Sequence, residues 1–294
     1  MSGTSASTST TSTTSTTGAI RPATARSGPG APPAGPGTDV ASFADGLSVT
    51  FERRGSGRPV LLLHGGGGPR TVAAFAGTLA RYADVITPTH PGFGGTARPD
   101  WFDSVDDLAL TYLELLERLD LHDVLVIGSS MGGWIASEMA VRDTGRIGGV
   151  VLVNAIGIQV PGESVADVFA LTPAELSALS FHDPGAHAVD PTTLGPEQRA
   201  AIAANFRALA VYGRDRGMRD PKLRRRLARV AVPALVVWGL SDGVAGPAYG
   251  RAFAEAFADG RFEPVAECGH LPQIEQPGRL LDLVLGFGAG GAAR

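Results

Sequence analysis

The chain has 294 residues, of which 44% are apolar and 18% are charged, so it is large and apolar enough to bury a substantial core. This composition excludes a wholly disordered chain, and the single cysteine, Cys268, excludes an intrachain disulfide and a cysteine-based metal cluster. The formal net charge of -4 provides no overall positive field to attract nucleic acid or an anionic membrane. We therefore expect a small-molecule function that needs neither a cofactor nor a metal, and no membrane span.

Residues 1–38 form an amino-terminal segment of distinct composition. Between Ser2 and Thr17, 14 of 16 residues are Ser or Thr, and a Pro- and Gly-rich stretch without periodicity follows. Such a segment cannot bury enough apolar surface to offset the entropy of ordering, so we predict that it is disordered. It lacks the apolar stretch of about 7–15 residues found in secretory signals, which predicts a cytoplasmic protein. A transit peptide is the alternative, because the segment is Ser-rich and contains Arg21 and Arg26, but it has no amphipathic periodicity.

From Gly46 onward, short β-branched runs alternate with helical patterns, which is typical of a mostly parallel sheet covered by helices on both faces. The first two runs, 47–53 and 59–64, are separated by a short link around Gly55-Ser56-Gly57. This spacing is typical of a hairpin, so we predict that the sheet begins with an antiparallel pair. The later runs are predicted to be parallel strands: 84–89, 124–128, 150–154, 234–239 and 261–266.

Several helix starts are marked by capping residues. Ser104 with Asp107 three residues later predicts one helix, and Thr172 with Glu175 predicts another. The second helix lies in a stretch of helical pattern without a convincing strand, between 156 and 231, where Pro196 and Asp220-Pro221 open further helices. We predict that this stretch is inserted above the sheet as a cap.

Eight basic residues lie close together in the second half of this insertion. Leu223, Leu227 and Val230 form an apolar stripe among them, so the simplest interpretation is that the charges form the solvent-facing side of a helix. Attraction of an anionic substrate or of a partner surface is the alternative. The basic residues are Arg214, Arg216, Arg219, Lys222, Arg224, Arg225, Arg226 and Arg229.

The passage that follows Val124 carries the strongest functional signal. A run of four apolar residues leads into Gly128-Ser129-Ser130-Met131-Gly132, and a helical pattern begins at Trp134. A G-x-S-x-G sequence between a strand and a helix is typical of a nucleophile turn, in which the glycines allow close backbone approach. Ser130 is therefore the predicted nucleophile, whereas Trp134 is expected to pack in the core.

A serine nucleophile requires a histidine base and a carboxylate that orients this base. Of the histidines that follow Ser130, only His270 lies in a loop directly after a predicted strand. Asp242 follows the predicted strand 234–239, while the preceding strand is followed by Asn154, which has no charge. We predict that His270 is the base and that Asp242 is the acid.

Acyl transfer also requires donors for the oxyanion that forms on the substrate. The backbone N–H of Met131, at the start of the helix after the nucleophile, is one candidate. The second is the backbone N–H of Gly66, in the glycine-rich stretch 65–68 that follows the strand ending near His64. A phosphate-binding loop is less favoured, because this stretch continues into Pro69-Arg70 rather than Gly-Lys-Ser/Thr.

In this order, these motifs resemble the α/β-hydrolase superfamily from around Gly46 to the carboxyl terminus. Residues 90–95, His-Pro-Gly-Phe-Gly-Gly, are similar to the family turn after its fourth strand, and 238–242, Trp-Gly-Leu-Ser-Asp, to the tract that delivers the acid. His90 replaces the more usual Asp, a change that we expect to be structural. The resemblance implies an α/β fold: an eight-stranded, mostly parallel sheet with helices on both faces and a helical cap after strand 6. The core would comprise 39–155 and 232–294, the cap 156–231, and no metal or organic cofactor is implied.

Within this superfamily, Ser130 argues against haloalkane dehalogenases and epoxide hydrolases, which use an Asp nucleophile. The His-Gly-Gly-Gly sequence that begins at His64 is similar to the carbon–carbon hydrolases of ring-fission products, but those typically place Trp where this chain has Leu271. We therefore predict an esterase-like serine hydrolase that forms an acyl-enzyme with a small to medium apolar substrate. A carbon–carbon hydrolase is the second interpretation. A noncatalytic receptor on the same fold is the third, and the complete triad argues against it.

Overall fold

The computed structural model of the chain describes Met1, Gly3 and residues 37–142, 145–187 and 193–290. Its centre is one eight-stranded sheet with the strand order β1-β2-β4-β3-β5-β6-β7-β8. The pairs β1–β2 and β2–β4 are antiparallel and all others are parallel, which confirms the predicted mostly parallel sheet. The strands are β1 (Gly37–Ser42), β2 (Ser48–Gly55), β3 (Pro59–Leu63), β4 (Asp84–Thr89), β5 (Val124–Ser129), β6 (Ile147–Val153), β7 (Ala234–Gly239) and β8 (Gly260–Val265).

The predicted hairpin between β2 and β3 is wrong, because β4 lies between these strands. Four of the five residues of β3 are buried, and such a continuous apolar strand is stable with a parallel neighbour on each side, here β4 and β5. β2 instead pairs with β4, where the Arg53 guanidinium donates a 2.9 Å hydrogen bond from Nε to Asp84 Oδ1. The link between β2 and β3 has hairpin length, but length alone does not determine which strand becomes the neighbour.

The edge strand β1 was not predicted at all. Its sequence, Gly-Thr-Asp-Val-Ala-Ser, has one fully buried residue, Ala41, and its other residues are largely exposed, so no apolar pattern marks it. Its pairing with β2, in which Val40 lies opposite Thr50, comes from backbone hydrogen bonds that sequence composition does not encode. The predicted disordered segment 1–38 therefore ends too late, because Gly37 and Thr38 belong to β1; most of that segment lies outside the described residues.

Helices cover the two faces of the sheet through two separate apolar clusters. Along β5 the side chains alternate, so that Val126 joins one cluster and Leu125 the other. The helices are α1 (Arg70–Leu79), α2 (Val105–Arg118), α3 (Met131–Arg142), α4 (Pro173–Ser180), α5 (Pro184–His187), α6 (Pro196–Gly213), α7 (Leu223–Leu227), α8 (Pro247–Ala254), α9 (Pro272–Glu275) and α10 (Pro277–Gly290). α2, α3 and α8 pack on one face, and α1 and α10 on the other.

Both predicted capping boxes are confirmed. Ser104 accepts a hydrogen bond from the Asp107 N–H at the start of α2, and Asp107 accepts one from the Ser104 N–H in return. Thr172 and Glu175 form the same reciprocal pair at the start of α4. These contacts satisfy amide groups that have no partner within the helix, and thus fix where α2 and α4 begin.

The segment between β6 and β7 carries α4 to α7, and α6 packs on the loop that follows β4, where the Tyr212 hydroxyl donates to the Pro91 carbonyl at 2.8 Å. In α7, Leu223 and Leu227 are buried while Arg225 is exposed, in agreement with a solvated basic side. Trp134 is buried in the core, as expected. No helix in the described part of the chain is long and apolar enough to cross a bilayer.

Candidate active site

Ser130 occupies the turn that joins β5, which ends at Ser129, to α3, which begins at Met131. Its backbone has φ of 54°, in the left-handed region that residues with a side chain seldom adopt. The Ser130 N–H donates to the Val153 carbonyl at 3.0 Å, and the Ser130 carbonyl accepts from Gly133 at 2.9 Å. The neighbouring strand β6 thus holds the strained turn in place, which is the conformation expected of a nucleophile elbow.

The glycines on either side of Ser130 are required by close packing. A Cβ atom at Gly128 would lie 2.2 Å from the Gly132 carbonyl oxygen, and a Cβ at Gly132 would lie 2.3 Å from the Leu63 carbonyl oxygen. Both contacts are with backbone atoms, which cannot move aside without displacing α3 or β3. The G-x-S-x-G pattern therefore reflects a steric constraint, and this constraint brings the Ser130 turn against the loop after β3.

The structure brings the three predicted triad residues together. His270 Nδ1 lies 2.8 Å from Asp242 Oδ2, and His270 Nε2 lies 2.9 Å from Ser130 Oγ. An ionised carboxylate only accepts hydrogen bonds, so the proton on His270 is on Nδ1 and Nε2 is free to accept from the Ser130 hydroxyl. His270 and Asp242 are both buried, which protects these hydrogen bonds from competing water.

Asp242 accepts hydrogen bonds from four donors in the described part of the chain. Its Oδ1 accepts from the N–H groups of Val244 at 2.8 Å and Ala245 at 3.2 Å, and its Oδ2 accepts from Asn154 Nδ2 at 2.7 Å as well as from His270. These hydrogen bonds hold the buried Asp242 carboxylate in one orientation toward His270.

Asn154 was not among the predicted site residues because it carries no charge. In the structure it is fully buried at the end of β6, with φ of 44°, and its Oδ1 accepts from the Gly239 N–H at 3.2 Å. Asn154 therefore connects the ends of two adjacent strands and fixes Asp242 between them. The available signal was its position: Asn154 directly follows one predicted strand, and the next predicted strand along the chain delivers the acid.

The loop that carries His270 is also anchored by residues that the sequence analysis missed. The His270 N–H donates to the Ser180 carbonyl of α4 at 2.7 Å. Glu275 accepts from the N–H of Gly269 at 2.6 Å and from the N–H of His182 at 2.8 Å. The imidazole is thus oriented through its backbone as well as through Asp242.

The glycine-rich loop after β3 places a peptide N–H toward the site. The Gly65 carbonyl accepts from His64 Nδ1 at 2.8 Å and from the Gly68 N–H at 3.0 Å. Because the peptide between Gly65 and Gly66 is planar and trans, fixing this carbonyl directs the Gly66 N–H the opposite way. Within the described residues, neither the Gly66 nor the Met131 N–H donates to a protein acceptor, so both predicted donors are free for a ligand oxygen.

Two buried histidines support this loop. The His90 N–H donates to His64 Nε2 at 3.1 Å, His90 Nε2 donates to the His64 carbonyl at 2.9 Å, and the Tyr112 hydroxyl donates to His90 Nδ1. Burial lowers the pKa of His64 to about 4 and the pKa of His90 well below its ordinary value, so both rings are neutral at pH 7. His90 therefore has a structural role, as expected for the replacement of the usual Asp.

A cavity of about 260 Å³ opens beside Ser130, His270 and Gly66. Its wall is mostly apolar, and within the described residues none of the side chains that line it belongs to Lys, Arg, Asp or Glu. The apolar side chains include Ile156, Val168, Leu176, Phe206, Leu209 and Met218. The volume lies just below the about 300–1,000 Å³ that is usual for ligand sites, so it suits a small or medium apolar group.

Comparison with known proteins agrees with this architecture. Residues 60–283 match the model of a family described as the alpha/beta hydrolase family. A 2-hydroxymuconate semialdehyde hydrolase from Pseudomonas putida is 27% identical over 263 residues, 83% of this chain and 92% of the relative. A 2-hydroxy-6-oxo-2,4-heptadienoate hydrolase from the same species is 26% identical over 277 residues, 83% of this chain and 94% of the relative. The structure of a thermophilic esterase from Thermogutta terrifontis gives a TM-score of 0.68 at 22% identity over 88% of this chain and 99% of the esterase.

The buried pair His64–His90 predicts a specific acid sensitivity. Burial lowers the pKa of both histidines in the folded protein, so below the unfolded pKa of about 6.5 the unfolded chain binds protons more readily than the folded protein. The free energy of unfolding is therefore highest above this pH and decreases as the pH falls toward 4. For His64 alone this amounts to about 3 kcal/mol. We expect urea unfolding to show a smaller loss of stability between pH 7 and pH 5 in His90→Gln than in the unmodified protein. His122→Gln, at an exposed histidine, is the control, and equal losses in His90→Gln and the unmodified protein would contradict the prediction.

Proposed function

The chain belongs to the α/β-hydrolase family, and on this basis we propose that it is a serine hydrolase that cleaves esters of small to medium apolar acids through an acyl-enzyme. The observation that carries the proposal is the hydrogen-bonded series Ser130–His270–Asp242 at the wall of an uncharged, mostly apolar cavity. A nucleophile, a base and an orienting acid are the groups that acyl transfer requires.

In the first half of the reaction, Ser130 Oγ attacks the carbonyl carbon of the ester while His270 Nε2 accepts the hydroxyl proton. Asp242 stabilises the imidazolium through the 2.8 Å hydrogen bond to Nδ1. The oxyanion that forms accepts hydrogen bonds from the N–H groups of Gly66 and Met131. The tetrahedral intermediate then breaks its bond to the alcohol, which leaves with the proton from His270.

The second half repeats these steps with water. His270 Nε2 accepts a proton from the attacking water, whose oxygen bonds to the acyl carbon. The same two N–H groups hold the second oxyanion, and its collapse releases the acid while His270 returns the proton to Ser130 Oγ. The two halves use one set of groups, which is why the His270 ring must stay in one orientation.

A carbon–carbon hydrolase is the second candidate, favoured by the two relatives from Pseudomonas putida. A substrate such as 2-hydroxy-6-oxo-2,4-heptadienoate contains no ester, so its hydrolysis must break a carbon–carbon bond. It also carries a carboxylate, and burying an unpaired carboxylate costs several kcal/mol. The described lining of this cavity offers no Lys or Arg to pair with it. The absence of a basic side chain from the described cavity lining therefore favours a neutral ester as substrate.

We expect Ser130→Ala to reduce hydrolysis of p-nitrophenyl butyrate to below a few per cent, because it removes the nucleophile without disturbing the backbone. The unmodified protein should bind a fluorophosphonate probe covalently at Ser130. Ser129→Ala is the matched control, since the Ser129 hydroxyl accepts a 3.2 Å hydrogen bond from Gln273 Nε2, whereas His270 Nε2 pairs with Ser130. If Ser129→Ala were the inactive variant, the nucleophile would be Ser129 and not Ser130. If the unmodified protein did not react with the fluorophosphonate probe, the receptor interpretation would be favoured instead.

Asp242→Asn should lower kcat by at least about 10²-fold, since the comparable change in serine proteases costs about 10⁴. An amide offers His270 a donor where it needs an acceptor, which favours the wrong tautomer. Glu267→Gln, at an exposed carboxylate three residues before His270, should leave kcat unchanged. A loss of activity in Glu267→Gln but not in Asp242→Asn, measured alongside thermal melts of both variants, would assign the acid to Glu267.

A matched pair of substrates tests whether the cavity excludes a negatively charged acyl group. p-Nitrophenyl butyrate and p-nitrophenyl hemisuccinate have similar lengths, but only the second ends in a carboxylate. We expect kcat/KM for the hemisuccinate to be at least about 10²-fold lower, which corresponds to about 3 kcal/mol of unpaired charge burial. Equal values for the two esters, or efficient hydrolysis of a 2-hydroxy-6-oxo-dienoate, would favour the carbon–carbon hydrolase.

A further inference from the structure

Asn205, on cap helix α6, makes two side-chain hydrogen bonds to the core. Its Nδ2 donates to the Gly67 carbonyl at 2.9 Å, and its Oδ1 accepts from the Gly94 N–H at 2.8 Å. The side chain is 8% exposed and lines the cavity beside Ser130. One amide thus joins the loop after β3 to the turn after β4, at the wall of the site.

The contact between Asn205 and the glycine-rich loop is very close. Gly68 has φ of +87°, and a Cβ atom there would lie 2.2 Å from Asn205 Nδ2. One helical turn further along, Leu209 approaches the same loop so closely that a Cβ at Gly66 would lie 2.6 Å from its Cδ2. The two α6 side chains therefore pack on the loop that carries the Gly66 N–H.

We infer that Asn205 is a positioning residue of the oxyanion hole, so that the cap and not the core alone fixes where the Gly66 N–H points. This inference rests on the proposed function. A run of four glycines has much conformational freedom, and an N–H that must lie about 3 Å from the oxyanion has to be restrained. His64 and the Gly68 N–H hold the Gly65 carbonyl from the core side, and Asn205 holds the Gly67 carbonyl from the cap side.

Asn205 has no group that takes or gives a proton in the reaction. Its loss should therefore weaken stabilisation of the oxyanion, which exists only in the transition state, more than binding of the substrate. Removal of an oxyanion donor costs about 10²–10³ in kcat. Loosening one restraint on a donor should cost less, and we expect a fall of about tenfold.

The experiment compares Asn205→Ala with Tyr212→Phe, a control on the same helix. The Tyr212 hydroxyl donates to the Pro91 carbonyl, so Tyr212→Phe also removes a buried hydrogen bond between α6 and the core, but this bond ends at the turn after β4 and not at the loop 65–68. For each variant we would measure kcat and KM with p-nitrophenyl butyrate, the inhibition constant of butylboronic acid and the thermal melt. The boron of butylboronic acid bonds to a reactive serine oxygen and becomes tetrahedral, and one oxygen of this boronate then faces the oxyanion donors.

The expected result for Asn205→Ala is a fall of about tenfold in kcat with KM within about twofold, and a similar weakening of the boronic acid. Tyr212→Phe should change kcat by less than about twofold whatever its melting temperature. An unchanged kcat in Asn205→Ala, a change in KM alone, or an equal fall in Tyr212→Phe would overturn the inference and leave the proposed function intact.

Two further results, a variant that does not fold and an unmodified protein that is inactive, have separate consequences. If Asn205→Ala does not fold, Asn205→Asp keeps the shape and the bond to the Gly94 N–H but loses the donor to the Gly67 carbonyl. A normal kcat in that variant would overturn the inference, and a fall in both kcat and boronic acid affinity with unchanged KM would support it. If the unmodified protein shows no hydrolysis that depends on Ser130, the proposed function fails first, and the role of Asn205 fails with it.

Discussion

The close packing of backbone on backbone at the Ser130 turn is the constraint on which the rest of the site depends. Gly132 lies so near the Leu63 carbonyl that no Cβ atom fits between them. This contact sets the distance between the start of α3 and the loop after β3, and therefore the distance between the Met131 and Gly66 N–H groups. A small error here would displace Ser130 and both predicted oxyanion donors together.

The buried acid and the buried histidines near this turn are held by hydrogen bonds. Asp242 receives three donors besides His270, and the His64–His90 pair is neutral because it is buried. The charged acid and the neutral histidines are on opposite sides of Ser130. In the proposed reaction, the acid side would support the cation that forms on His270, and the neutral side would leave the predicted oxyanion donors without a competing charge. The cavity adds no ionic group of its own among the described residues.

Much of this arrangement was predictable from sequence, for physical reasons that differ between elements. The triad residues follow strands in a fixed order, and the ends of parallel strands meet at one edge of the sheet. Strand β1 and the order β2-β4-β3 were not predictable, because they depend on backbone pairing and on the ion pair between Arg53 and Asp84. Asn154 and Asn205 carry no charge and belong to no motif. Their roles come from contacts between segments far apart in the chain.

The His270 N–H donates to the Ser180 carbonyl, so the loop of the base is tied to the segment between β6 and β7 just as the glycine-rich loop is tied to Asn205. This segment is therefore not a replaceable module. An enzyme engineer who exchanged it for the corresponding segment of another hydrolase, in order to change the substrate range, would also remove supports of the base and of the glycine-rich loop. A useful chimera would keep the backbone path at Ser180 and an amide at position 205, and would vary the side chains between them. In this chain, pocket side chains can be exchanged without loss of support only where they carry no such hydrogen bond.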